Sequence, residues 1–75
     1  MRKEFIREQV KDAQKRVDHC MQFIRRQTQV VEDLHTAGHE DAENLARKVL
    51  MTALQVRIAR EAEVERLLRD LSQAS

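Results

Sequence analysis

Leu34-His35-Thr36-Ala37-Gly38-His39-Glu40-Asp41 is the stretch that decides the fold. Gly38 is the single glycine of a 75-residue chain without proline, and it stands almost at the midpoint. The flanking sequences are dominated by Glu, Lys, Arg, Gln, Ala, Leu and Val, mostly good helix formers. A glycine just past a helix end adopts the left-handed conformation that a Cβ disfavours. Beyond it, Glu40, Asp41 and Glu43 place negative charge against the positive end of a second helix dipole, with Asp41 the expected N-cap and a slightly earlier helix start at Glu40 the alternative. One breaker between two helical patterns predicts an all-α fold, an antiparallel two-helix hairpin in a single domain over 1–75. Helix one is expected over about 3–36, the turn at about 37–40 and helix two over about 41–71. Met1 to Lys3 and Ser72 to Ser75 are expected to fray.

Each half carries an apolar seam. Ile6, Val10, Ala13, Val17, Cys20, Ile24, Gln27, Val31 and Leu34 recur alternately four and three residues apart, the spacing of a heptad seam. Ala13, Cys20 and Gln27 keep one heptad position small or polar, which suits close approach of a second helix. In the second half Ala46, Leu50, Ala53, Val64, Leu67 and Leu71 follow the same rule, but Arg57 and Arg60 interrupt it. Arginines in a seam commonly pack their stems and send their heads to water or a carboxylate. Folding the chain about Gly38 brings Arg57 near Asp18, and this pair is expected to fix the register. An anion site at the two arginines is the sharper reading of the same residues. Val17, Ile24, Val31, Leu50 and Leu67 are expected to carry the contact between the helices.

Two helices touching along one stripe enclose little core. Chains this small usually need a disulfide, a metal or oligomerisation to offset a conformational entropy of about 1.5 kcal/mol per ordered residue. Cys20 is the only cysteine, so no intrachain disulfide can form. Self-association or docking on another protein is what remains. The net charge is +1, with 14 basic and 13 acidic side chains interspersed, and neither half is the strongly basic element of most nucleic-acid binders. The apolar runs are too short to span a bilayer, and Met1-Arg2-Lys3-Glu4-Phe5 lacks the apolar stretch of a signal peptide. A cytoplasmic protein with no membrane contact is the expectation, in keeping with one free thiol.

Ile24, Gln27, Val31, Leu34, Gly38 and His39 match the pattern I-x-x-Q-x-x-x-I-x-x-L-x-x-x-G-H, with valine at the second isoleucine. On those residues the chain resembles a family of small alphaproteobacterial helical-hairpin proteins, over roughly residues 17–71. Glu40-Asp41 stand where that family usually has Asp-Thr, and Ala46, Val49 and Leu50 form a shifted version of its Ala-x-x-Leu-Leu unit. The resemblance implies a bacterial cytoplasmic hairpin and carries over no catalytic residue.

Candidate chemistry is sparse. His35 and His39 flank the turn beside Asp33, Glu40 and Asp41, but a metal needs three or four converging ligands, and capping and dipole contacts explain a histidine at a helix end. Cys20 and His19 are adjacent and point about 100° apart on a helix, which does not make an activated pair. No catalytic, cofactor or metal residue is assigned, and an enzyme is not expected. Arg25, Arg26, Arg47 and Lys48 meet at one level of the hairpin and could contact phosphates, although no aromatic residue accompanies them for base stacking.

The apolar flanks carry the functional expectation. Phe5, Met21, Phe23, Val30, Leu54 and Ile58 exceed what one hairpin can bury, and contiguous exposed apolar surface marks interaction sites. The expected protein is a small interaction module, an adaptor or regulatory accessory, that homodimerises into a four-helix bundle or receives an amphipathic helix of another protein. A weak nucleic-acid-associated protein using the basic cluster is the alternative.

Overall fold

The computed structural model describes residues 2–74; Met1 and Ser75, part of the ends expected to fray, lie outside the described residues. Two helices account for nearly all of it, α1 over Arg2–Ala37 and α2 over Glu40–Gln73. Each extends one or two residues past the expected limits, so Arg2, Lys3, Ser72 and Gln73 are helical rather than frayed. The helices lie antiparallel along a rod of 57 × 14 × 11 Å, a length that 36 residues at 1.5 Å per residue nearly fill.

The turn is a tight Schellman closure. Gly38 has φ of +76°, its N–H donates to the His35 carbonyl at 3.1 Å, and the His39 N–H donates to the Leu34 carbonyl at 3.0 Å. These two bonds satisfy carbonyls that a helix end otherwise leaves open. Helix α2 begins at once. The His39 carbonyl accepts from the Glu43 N–H at 2.9 Å, which makes His39, not Asp41, the N-cap, and its side chain caps nothing. The turn uses Gly38 and His39 to end α1, so Glu40 and Asp41 already lie inside α2.

The seam forms as its spacing predicts. Ile6, Ala13, Val17 and Val31 from α1 and Ala46, Ala53 and Leu67 from α2 are buried, all of them apolar. Ile24 and Leu50 are half-buried. Alanine at three of these places lets the backbones approach, and two α1 side chains exploit it. Gln27 Nε2 donates to the Ala46 carbonyl at 3.0 Å, and the Cys20 thiol lies 3.5 Å from the Ala53 carbonyl. Among the described residues no buried side-chain nitrogen or oxygen lacks a partner.

Those contacts set the register. Cys20 is level with Ala53 and Gln27 with Ala46, so equal steps along both helices place Arg57 opposite Arg16 and not opposite Asp18. The expected Arg57–Asp18 pair does not form. Arg57 Nε donates instead to Glu61 one turn on, at 3.2 Å, and Asp18 accepts a 3.4 Å bond from Gln14. Arg57 is half-buried in the seam, whereas Arg60 is exposed.

A Cβ added at Gly38 would meet nothing within 4 Å, so the cost of replacing it lies in the backbone alone. Gly38→Ala is expected to lose about 1–2 kcal/mol in urea unfolding followed by circular dichroism. Gly38→Asn should lose clearly less, because asparagine visits this conformation more readily. Equal losses would detach the effect from the left-handed turn.

Candidate functional site

Beside the close-packed seam, larger side chains stand up on both flanks. On one flank they enclose a groove of about 660 Å³, open to solvent along its length. Cys20 and Ala53 lie deepest. Phe23 on α1 and Val49 and Val56 on α2 form the walls, with Leu45 at the turn end. These wall residues keep 40–43 % of their surface exposed, and Leu45 keeps 65 %. Thr52, Arg16, Lys48, Arg60 and His19 complete the lining, and no carboxylate takes part. A shallower stretch of about 400 Å³ continues past Ala59 to Glu63.

Sequence spacing explains the groove. Leu45, Val49, Thr52 and Val56 recur at steps of four, three and four, and Arg16, Cys20 and Phe23 at four and three. Such residues share one helix face, so each helix carries a second stripe beside its seam. Leu45 and Arg16 were not among the residues singled out from sequence, and that second row is the signal that finds them. Thr52 and Arg16 interrupt its hydropathy and hide it.

The opposite flank bears Met51, Leu54, Ile58 and Leu68, exposed by 62, 41, 69 and 47 %. Met21 is half-buried and belongs to this side, because it sits two residues, or 200° of helix, from Phe23. Leu54 and Val56 are separated in the same way. Val30 lies one heptad beyond Phe23, on the groove's row. Phe5 is far off at the open end of the hairpin, in a cleft with Ile6, Gln9, Asp70 and Gln73. The six residues expected to form one contact, Phe5, Met21, Phe23, Val30, Leu54 and Ile58, thus occupy three places.

The basic residues near the turn also part company. Arg47 donates from Nε and Nη2 to Glu43 at 2.8 and 2.6 Å. Lys48, about 100° around the helix from it, lines the groove. Arg25 and Arg26 are exposed. One of the four charges is therefore matched by a carboxylate, and another faces a different flank.

Glu43 has a larger part than a helix-dipole charge. It stands at a seam position with only 13 % of its side chain exposed, and it also accepts from His35 Nδ1 at 3.0 Å. The carboxylate is an acceptor only, so this histidine nitrogen carries the proton. His35 belongs to the last turn of α1 and Arg47 to α2, so Glu43 ties the two helices together beside Gly38. The Arg47 hydrogen bond, and then that of His35, hold the Glu43 carboxyl below its ordinary value of 4.5. At the other end of the groove Glu63 is likewise held low, first by its bond to Arg66 and in part by the fields of Arg16 and Arg60.

Compared with protein-family models, with curated proteins and with solved structures, the chain has no significant match in any of the three. Among the described residues, no helix is long and apolar enough to cross a membrane.

A carboxyl with a depressed folded pKa contributes stability above its ordinary range and loses that contribution as pH falls through the depressed value. Glu43→Gln is therefore expected to lower the melting temperature near neutral pH, with the deficit shrinking below about pH 4. Thermal melts at about pH 7 and about pH 3 compare the two. A deficit of the same size at both would show that the charge of Glu43 is not its source.

Proposed function

We propose that the protein is a small non-enzymatic protein-interaction module, an adaptor or regulatory accessory, that acts through helix–helix contacts and homodimerises into a four-helix bundle. The observation that carries this reading is surface. The hairpin exposes 5929 Å² at a mass of 8.8 kDa, whereas a compact monomer of that mass exposes about 4,800 Å². The difference, about 1,100 Å², is of the size that each partner of a stable complex buries.

The flank of Met21, Met51, Leu54 and Ile58 suits a second copy. Lys11, Asp18, Arg25 and Glu32 border it on α1, seven residues apart and alternating in sign. Antiparallel pairing of two α1 helices about Met21 brings Lys11 of one copy against Glu32 of the other, and Asp18 against Arg25. A twofold contact meets itself in this reciprocal way, and here the charges agree. A cytoplasmic setting and kinship with the small alphaproteobacterial hairpins belong to the same proposal, the latter resting on Ile24, Gln27, Val31, Leu34, Gly38 and His39. Nucleic-acid association through Arg25, Arg26, Arg47 and Lys48 has no observation in its favour, since Glu43 takes Arg47 and Lys48 lines the groove.

Light scattering after size exclusion should give twice the 8.8 kDa chain mass. Ile58→Asp, at a site 69 % exposed in the hairpin, should shift the protein to monomer. Lys11→Glu should weaken the dimer, and Lys11→Glu combined with Glu32→Lys should restore it. A wild-type chain that stays monomeric at every concentration removes the dimer.

A further inference from the structure

Resting on the reading of the protein as an interaction module, we propose that the groove walled by Phe23, Val49 and Val56 seats an acidic amphipathic helix of another protein. That helix becomes the third strand of a coiled-coil contact, on the flank that self-association leaves open.

The shape of the groove selects a helix. Its lining repeats at heptad spacing on both sides, so it offers the holes into which an a/d stripe inserts its side chains. From Leu45 to Arg60 it runs about 22 Å, the length of four helical turns. It is open along that whole length. A single acyl chain would leave its own outer side in water there, whereas a helix brings an apolar stripe inward and a polar face outward.

Charge selects an acidic one. Lys48 stands toward the turn end, and Arg16 and Arg60 stand toward the other, about 18 Å away along α2. None of the three forms an ion pair among the described residues. Glu63, in the stretch that continues past Arg60, is held by Arg66 at 2.6 Å. A second copy of the chain does not fit, because a twofold contact would set these cations against their own duplicates. The partner helix therefore carries Leu, Ile or Val at four-three-four spacing, with Glu or Asp beside each end of that stripe.

The test uses the full chain and two labelled synthetic helical peptides with the same leucine stripe, one with glutamates flanking it and one with lysines at those places. Fluorescence anisotropy should show the glutamate peptide binding at least about tenfold tighter, with the difference shrinking in high salt. Lys48→Glu combined with Arg60→Glu should reverse the preference, and Val49→Asp should abolish binding, with the light-scattering mass unchanged in each variant. Equal affinities, or no binding of the glutamate peptide, overturn the proposal. Loss of the dimer in the groove variants overturns it in favour of a second copy, and displacement of the peptide by stoichiometric dodecanoate does so in favour of an anionic amphiphile. A monomeric wild type that binds the glutamate peptide sinks the dimer and spares the groove; a dimer that ignores the peptide does the reverse.

Discussion

Everything in this molecule depends on how closely two helices approach at Ala13, Ala46 and Ala53. Alanine offers little apolar area, so the seam gains less from burial than one of leucines would. What it gains is proximity. With only methyl groups in the way, Gln27 and Cys20 of α1 reach backbone carbonyls of α2, contacts that long side chains at positions 46 and 53 would block. A side-chain bond to a named carbonyl is directional, and a slip of one residue breaks it. The apolar stripe alone tolerates such a slip far better. Register therefore rests on two polar contacts in an otherwise apolar seam.

Close approach also explains why so much apolar surface stays outside. When two backbones come together over small residues, the bulky neighbours on either side cannot interdigitate across the gap. Phe23, Val49 and Val56 stand up along one flank, and Met51, Leu54 and Ile58 along the other. Near the turn the same economy of space appears in Glu43, which sits in the seam next to Gly38 and gathers His35 and Arg47. His39 provides no side-chain cap for α2, so the acidic first turn and this pair of charge-assisted bonds are what fasten the start of that helix.

The hairpin was legible because its signals are redundant. Gly38 is the only breaker, and the α1 seam runs unbroken from Ile6 to Leu34, so helix type, turn and buried face follow from the same pattern. The partner of Arg57 was not legible. A shift of about two residues separates Asp18 from Arg16 as its neighbour, and hydropathy does not resolve that shift; the bonds of Gln27 and Cys20 do. The groove was hidden for a related reason. Its α2 row passes through Thr52 and its α1 row begins at Arg16, so a search for apolar runs steps over both. Met21 and Phe23 stand close together in sequence but on different flanks of α1. On a helix, two residues apart means nearly opposite.

That angular separation gives the two flanks different charge rules, and the difference has a physical meaning. A surface that pairs with its own copy about a twofold axis must be complementary to itself, so it needs both signs in reciprocal places. The row of Lys11, Asp18, Arg25 and Glu32 has that property. A rim of Arg16, Lys48 and Arg60 without a carboxylate does not, and paired with itself it would concentrate six cations around an apolar trench where their repulsion is poorly screened. The two flanks are therefore suited to unlike surfaces. The proposed dimer and the proposed acidic-helix contact call on different flanks, and both flanks take their register from Gln27 and Cys20.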